Sequence, residues 1–196
     1  MTSPTGSCWA WTSAIARTTL PFAWRSVWTP PAESPIYHLR HLERFRLGTS
    51  YSAVVERVGE MLAGPPLWGC RQLVVDGTGV GAPVVDMFRQ KSLVPIAITI
   101  TGGDTVTGDG GNYRVPKRYL VSTMQVLLQA GLLKVAEELP DATVLVQELL
   151  NFRVKIDPLT AHDSYGAWRE GQHDDLVLAT SVACWYAERQ PGYGVW

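Results

Sequence analysis

No aspartate precedes Asp76, and no acidic residue of either kind precedes Glu33. The opening stretch therefore offers no carboxylate as a metal ligand or a general base. Cysteine is scarce: Cys8, Cys70 and Cys184 are far apart, odd in number and without a C-x-x-C spacing or a nearby histidine pairing. Neither a disulfide framework nor a zinc site is supported, in keeping with a reducing cytoplasm. No apolar run reaches the roughly 18 residues of a membrane span, and no lysine-flanked apolar core of signal-peptide type opens the chain. The patterns G-x-x-x-x-G-K-[ST] and G-x-S-x-G are both missing, so the chain carries no P-loop ATPase and no nucleophile elbow. The expectation is a soluble, intracellular protein.

What is present fits one ordinary domain. The chain has 196 residues, 46% of them apolar and 18% charged, which is globular rather than disordered in character. A net charge of -1 gives no global attraction to nucleic acid. Any such contact needs a local basic surface, for which Arg114, Lys117 and Arg118 are the candidates; a solvated helix start is the plainer reading of that cluster. Residues 1 to 32 hold Trp9, Trp11, Trp24 and Trp28, four of the eight tryptophans, without clear period-2 or period-3.6 order.

From Tyr37 onward the pattern is regular. Tyr37 to Phe45 reads as a strand, Tyr51 to Leu62 as a helix stopped by Gly64-Pro65-Pro66, Arg71 to Asp76 as a buried strand, Ala82 to Gln90 as a helix and Val94 to Thr101 as a strand. Gly102 to Gly111 makes a turn or hairpin. Val115-Pro116-Lys117 then opens a helix that ends at Gly131. Leu132 to Val135 is a short strand, Ala142 to Leu150 a helix, Phe152 to Ile156 a strand and Asp174 to Ala187 the last helix, with Gly192 and Gly194 marking a frayed tail. Strands interleaved with helices imply an α/β sheet with helices on its faces.

Two segments carry chemistry. Leu73-Val74-Val75-Asp76-Gly77-Thr78-Gly79-Val80-Gly81 places an acid at the tip of a buried strand, and His173-Asp174-Asp175-Leu176-Val177-Leu178-Ala179 places an acid pair at the start of an apolar helix. Hard divalent cations prefer oxygen ligands, and a pair of them about 4 Å apart clamps both attacking and leaving oxygens of a phosphodiester. Three rival readings stand beside this one. Gly77 to Ala82 satisfies the dinucleotide pattern G-x-G-x-x-A, although Asp76 sets a negative charge near the expected phosphate and no ribose-binding acid follows about 20 residues on. Asp76 alone also serves as a helix cap, and Asp174 and Asp175 alone complement a helix dipole. In the metal reading Asp175 points at the metals while Asp174 helps to cap or acts as an outer ligand, and His173 orients a water or meets phosphate.

Tyr37 to Phe45, Val75 to Gly81, Val115-Pro116-Lys117-Arg118-Tyr119-Leu120-Val121, Gln147-Glu148-Leu149 and His173 to Ala179, in that order and spacing, resemble the C-terminal nuclease domain of phage terminase large subunits. The resemblance implies an RNase H-like mixed sheet flanked by helices over residues 37–188, between an aberrant or poorly ordered segment 1–36 and a tail 189–196. It implies a Mg²⁺- or Mn²⁺-dependent endonuclease that cuts concatemeric viral DNA, with Asp76, Asp175 and Asp174 as metal ligands and catalytic acids. Lys117, Arg118, Arg114, Thr78 and His173 would meet DNA. The implied partners are double-stranded DNA, the portal, a small terminase subunit and a separately encoded ATPase, in the host cell cytoplasm and without a membrane. A RuvC-like junction resolvase and a non-catalytic DNA- or portal-binding remnant are the alternatives.

The chain departs from that family at its first metal ligand, an aspartate on the opening strand in the pattern apolar, glycine, apolar, aspartate. The genetic code points to a reason. Tryptophan is TGG, alanine GCN, threonine ACN and cysteine TGY, so the codon straddling Cys8 and Trp9 is YTG, leucine, and the next three are GGC, NTG and GAC. The hidden frame thus reads Leu-Gly-apolar-Asp. Residues up to about 32 are accordingly expected to be read out of frame, which accounts for both the tryptophan excess and the missing acids. The nucleotide sequence of the gene tests this: an uninterrupted alternative frame should run through the stretch, and a stop codon within it would end the idea.

Overall fold

The computed structural model describes residues 8–12, 22–28, 35–46, 48–64, 72–79, 81–156, 163–167 and 174–189. One sheet holds β1 (Cys8–Thr12), β2 (Phe22–Trp28), β3 (Ile36–Leu39), β4 (Leu73–Asp76), β5 (Pro95–Thr101), β6 (Thr107–Asp109), β7 (Asn112–Pro116) and β8 (Leu133–Val135). Their spatial order is β6-β7-β5-β4-β1-β2-β3-β8. The helices are α1 (Tyr51–Ala63), α2 (Gly81–Gln90), α3 (Lys117–Gln129), α4 (Ala142–Asn151) and α5 (Asp175–Glu188), and β9 (Phe152–Ile156) pairs separately with β10 (Asp163–Ala167).

The sheet is mixed, as expected. β1 and β2 are antiparallel, as are β2 and β3 and also β6 and β7, whereas β1–β4, β4–β5, β5–β7 and β3–β8 are parallel. Parallel neighbours require crossovers, and α1, α2 and α3 lie on three of them. One consequence positions everything that follows: the carboxyl ends of β1, β4, β5 and β7 all lie at the same edge.

Period-2 alternation splits the apolar residues between two layers. Leu73, Val75 and Ala97 pack with Val54, Val55 and Val58 of α1 and with Val84, Val85 and Phe88 of α2. Val74, Ile98, Val115, Tyr37 and Leu39 face the other way, toward Leu120, Met124 and Leu127 of α3, Leu145 of α4 and Leu176 and Val177 of α5. All four residues of β4 are buried, as befits a central strand covered on both faces. α5 is apolar all round, and its neighbours explain why: it packs against α3 and α4 as well as β1, β2 and β4. Its buried hydroxyls are satisfied locally, Thr180 donating to the Leu176 carbonyl and Ser181 to that of Leu178, both at 2.8 Å.

Local signals end the elements where they occur. Ser50 caps α1 by accepting from the Ala53 N–H at 3.3 Å, and Gly64 closes it. After α3 the chain turns at Gly131, φ +66°, while the Leu132 N–H reaches the Leu127 carbonyl at 2.9 Å. In the β6–β7 hairpin, Gly108 has φ +104° and a Cβ there would lie 2.1 Å from the Asn112 carbonyl oxygen, so no other residue fits.

Three elements differ from the sequence reading. The strand expected over Tyr37 to Phe45 stops at Leu39, because its partner β8 ends at Val135 and the Ala136 N–H closes the ladder on the Leu39 carbonyl. Residues 8–12 and 22–28, which show no alternation, pair as a hairpin between β4 and β3, with Cys8 opposite Ser26 and Thr12 opposite Phe22. β10 has no counterpart in the sequence reading. The expected frayed tail at Gly192 and Gly194 lies outside the described residues.

Phe88 is fully buried, whereas Val94 is 82% exposed. Phe88→Ala should cost about 3–5 kcal/mol and Val94→Ala less than about 0.5 kcal/mol, read as the denaturant midpoint shift of each variant.

Candidate metal and phosphate site at the carboxyl edge of the sheet

Asp76 is the last residue of β4 and only 8% exposed. Parallel pairing holds it opposite Ile98 of β5, and the Gly77 N–H donates to the Ile98 carbonyl at 2.8 Å, which carries the chain out of the sheet at a fixed angle. Its Oδ1 accepts from the Thr78 N–H at 2.8 Å and from the Thr78 hydroxyl. Thr78 Oγ1 in turn accepts from the Ile100 N–H at 2.8 Å. Burial pushes the Asp76 carboxyl up to about 6, against the two Thr78 hydrogen bonds and the charge of Lys117, which pull it down.

The second acidic segment arrives at the start of α5. Asp174 occupies the N-cap position, and its carbonyl takes the Leu178 N–H at 2.9 Å, yet its side chain makes no capping bond. Asp174 Oδ2 instead accepts from Lys117 Nζ at 2.9 Å, with side chains 23% and 22% exposed. Lys117 is the first residue of α3, set at this edge by the buried Val115 and Pro116 that end β7, and its ammonium lies 5.5 Å from the Phe152 ring centroid. The Lys117 ammonium is therefore paired with Asp174 at the edge of the sheet where Asp76 ends β4. Asp175 stands on the first turn of α5, half-buried.

The capping of α5 falls to a residue to which the sequence reading gave no role. Glu148 of α4 is 8% exposed, and its Oε2 accepts from the backbone N–H groups of Leu176 and Val177 at 2.9 and 3.1 Å. Its Oε1 accepts from Arg44 Nη2 at 3.1 Å. Burial pushes Glu148 up to about 7 despite the Val177 N–H, Arg44 and the Leu176 N–H, and Asp175 raises it further. A signal was available: Glu148 continues the spacing of Ala142 and Leu145, so an acid sits on the inward face of an apolar helix.

The other nominated residues fare differently. Thr78 is spent on Asp76 and on the Ile100 N–H. Arg118 is tied to Asp104, 2.7 Å to its carboxylate and 3.0 Å to its carbonyl, and lies over the Tyr119 ring. Arg114 is exposed on β7. The three basic residues thus have separate surroundings rather than one shared partner, and His173 lies outside the described residues. The dinucleotide reading loses two of its donors, since the N–H groups of Gly77 and Thr78 are already bound to Ile98 and Asp76.

The donor set at this edge is all oxygen, which suits Mg²⁺ or Mn²⁺. Among the described residues no group of three or more His, Cys, Asp or Glu converges as a metal cage. The residue of β1 in register with Val74, two positions before Asp76, is Trp11.

No family model matches the chain, and no curated protein does. Solved structures do. The large terminase of a thermophilic bacteriophage superposes with a TM-score of 0.64 at 9% identity, covering 94% of this chain and 40% of that one. The fold is that of the large-terminase nucleases. The large terminase nuclease of thermophilic phage G20c with bound zinc gives 0.59 at 17% identity over 96% of this chain and 84% of that one. The human cytomegalovirus terminase nuclease domain, manganese-soaked, gives 0.52 at 15% identity, covering 92% and 83%. The chain spans about two fifths of the length of the first of these proteins and most of the length of the isolated nuclease domains. The fold class expected from sequence, RNase H-like with a helix-flanked mixed sheet, is therefore the one observed. No described helix is long and apolar enough to cross a membrane.

The buried acids set a pH dependence. Between pH 3.8 and about 6 the unfolded chain releases a proton that folded Asp76 retains, and for Glu148 the window runs from 4.5 to about 7, so stability falls as pH rises through both. Asp76→Asn should remove the lower part of that slope in EDTA. Its denaturation free energy should match wild type near pH 4 and exceed it by about 1–3 kcal/mol near pH 7.

Proposed function

We propose that this chain is the nuclease part of a phage DNA-packaging terminase large subunit, built for metal-dependent hydrolysis of double-stranded DNA and impaired by the loss of one carboxylate. The observation that carries the proposal is the ion pair between Lys117 at the start of α3 and Asp174 at the start of α5, at the end of the sheet where Asp76 closes β4, in a chain whose fold is that of the terminase nucleases. Asp76, Asp174 and Asp175 are the residues that would supply oxygen ligands to Mg²⁺ or Mn²⁺, although the three are not gathered as one group among the described residues. When bound, such an ion supplies Lewis-acid activation of water and charge neutralisation at the leaving oxygen.

The protein's own groups divide the remaining work. Thr78 orients the Asp76 carboxylate through two hydrogen bonds. Glu148 fixes the first turn of α5 and hence the direction in which Asp175 projects. Lys117, with exposed Arg114 nearby in sequence, offers positive charge to a phosphate, which gives little sequence preference and a strong salt dependence. With no acid on β1 to add to them, the residues that would hold a pair of divalent ions would offer fewer anionic ligands, and affinity for at least one ion would be low. A separately encoded ATPase, a small subunit and the portal are the partners such a nuclease would serve.

Cleavage of supercoiled plasmid in Mn²⁺ tests the reading, with three proteins side by side: this chain, a version with the alternative frame restored through about residue 32, and the restored protein carrying Asp76→Asn. The restored protein should cut at least about a hundredfold faster than the other two, as expected for loss of a metal ligand. Equal cutting by the chain as written would refute the impairment, and no cutting by any of the three would refute the nuclease.

A further inference from the structure

Lys117 is placed unlike a lysine that waits for a ligand in solvent. Its ammonium is 2.9 Å from Asp174 Oδ2, most of its side chain is covered, and the Phe152 ring lies 5.5 Å away. Asp76, whose carboxylate accepts both hydrogen bonds of Thr78, ends β4 at the same edge of the sheet. The cation is thus set where the negative charge of the candidate metal ligands is concentrated, at the root of α3, whose first turn is anchored by Val115 and Pro116. Two buried or half-buried acidic segments at one edge need a counter-charge when no divalent ion is bound, and Lys117 supplies it.

We propose that Lys117 is the built-in counter-cation of this site, competing with a divalent ion for Asp174 and released from it toward phosphate when the ion enters. The inference rests on the reading of Asp76, Asp174 and Asp175 as metal ligands, and it assigns Lys117 a second task beyond meeting DNA. A lysine that served only as a phosphate contact would leave metal affinity unaltered in the absence of DNA. A competing ammonium lowers it. The flexible four-carbon stem makes the exchange feasible without moving α3, since only the ammonium has to swing.

Titration of Mn²⁺ into the full chain, without DNA and followed by calorimetry, separates these cases. Lys117→Met should bind Mn²⁺ about five- to tenfold more tightly than wild type, and Lys117→Arg, which keeps the charge, should not gain. Lys117→Gln should match Lys117→Met. Because Lys117→Met leaves Asp174 without its ammonium, the Mn²⁺-induced rise in melting temperature serves as a second readout, and it should be larger in this variant than in wild type. Equal or weaker Mn²⁺ binding by both Lys117→Met and Lys117→Gln, with wild-type binding that Asp76→Asn removes, overturns the counter-cation and leaves the metal site standing. Absence of Mn²⁺ binding in every variant overturns both.

Discussion

The bond pattern on which the candidate site depends is the Glu148 bridge. One carboxylate, held on α4, takes two N–H groups from the first turn of α5 and the guanidinium of Arg44 from the chain beyond β3. A helix start leaves N–H groups without intrahelical partners, and burying them unpaired costs more than a hydrogen bond returns. Asp174, the residue at the N-cap, turns its side chain to Lys117 and leaves that task to Glu148. Remote capping thus frees a carboxylate that local capping would have consumed. The same bridge works against its own electrostatics, since burial raises Glu148 to about 7 and Asp175 adds to the repulsion. Arg44 and the two N–H groups offset that cost, so the start of α5 is held by an interaction that weakens if any one of its three partners is removed.

Asp76 shows the same opposition of stability and use. A carboxyl raised to about 6 by burial would be better replaced by an amide for folding, yet an acid at the end of β4 is what hard cations require. Thr78 moderates the conflict by giving both its N–H and its hydroxyl to one oxygen, and the Ile100 N–H fixes the hydroxyl from behind. The second carboxylate oxygen takes no part in that bonding, at the edge to which β7 and α3 deliver Lys117.

Much of this architecture was legible from residue patterns. The alternation of Leu73 and Val75 against Val74, the proline at the start of α3 and the glycine at its end each act locally, so sequence alone placed those elements to within a residue or two. The positions of the nominated acids on their elements were legible for the same reason: Asp76 ends an apolar strand, and Asp174 and Asp175 open an apolar helix. What escaped depends on distant partners. The extent of β3 is set by where β8 ends, the β1–β2 hairpin has no alternation to announce it, and the role of Glu148 exists only because α4 lies across the first turn of α5. Lys117 reads as a surface helix start until the fold brings it to Asp174, at the edge of the sheet where β4 and β7 end in parallel.

The topology also says where a missing acid would matter. β1 runs parallel to β4, and Trp11 is in register with Val74, so the following position of β1 falls alongside Val75 and one step from Asp76. The codon that straddles Trp11 and Thr12 in the alternative frame is GAC, an aspartate. Backbone register and codon arithmetic are separate arguments, and both point to the last residues of β1, beside the end of β4. If an acid stood there, it would add a negative charge next to Asp76, where Lys117 alone would balance less of the total. A divalent ion would then gain more from entering than the ammonium gains from staying. Without that acid the proposed balance would tip toward the lysine, which is the physical sense in which an altered opening strand would weaken the proposed site while its other carboxylates remain in place.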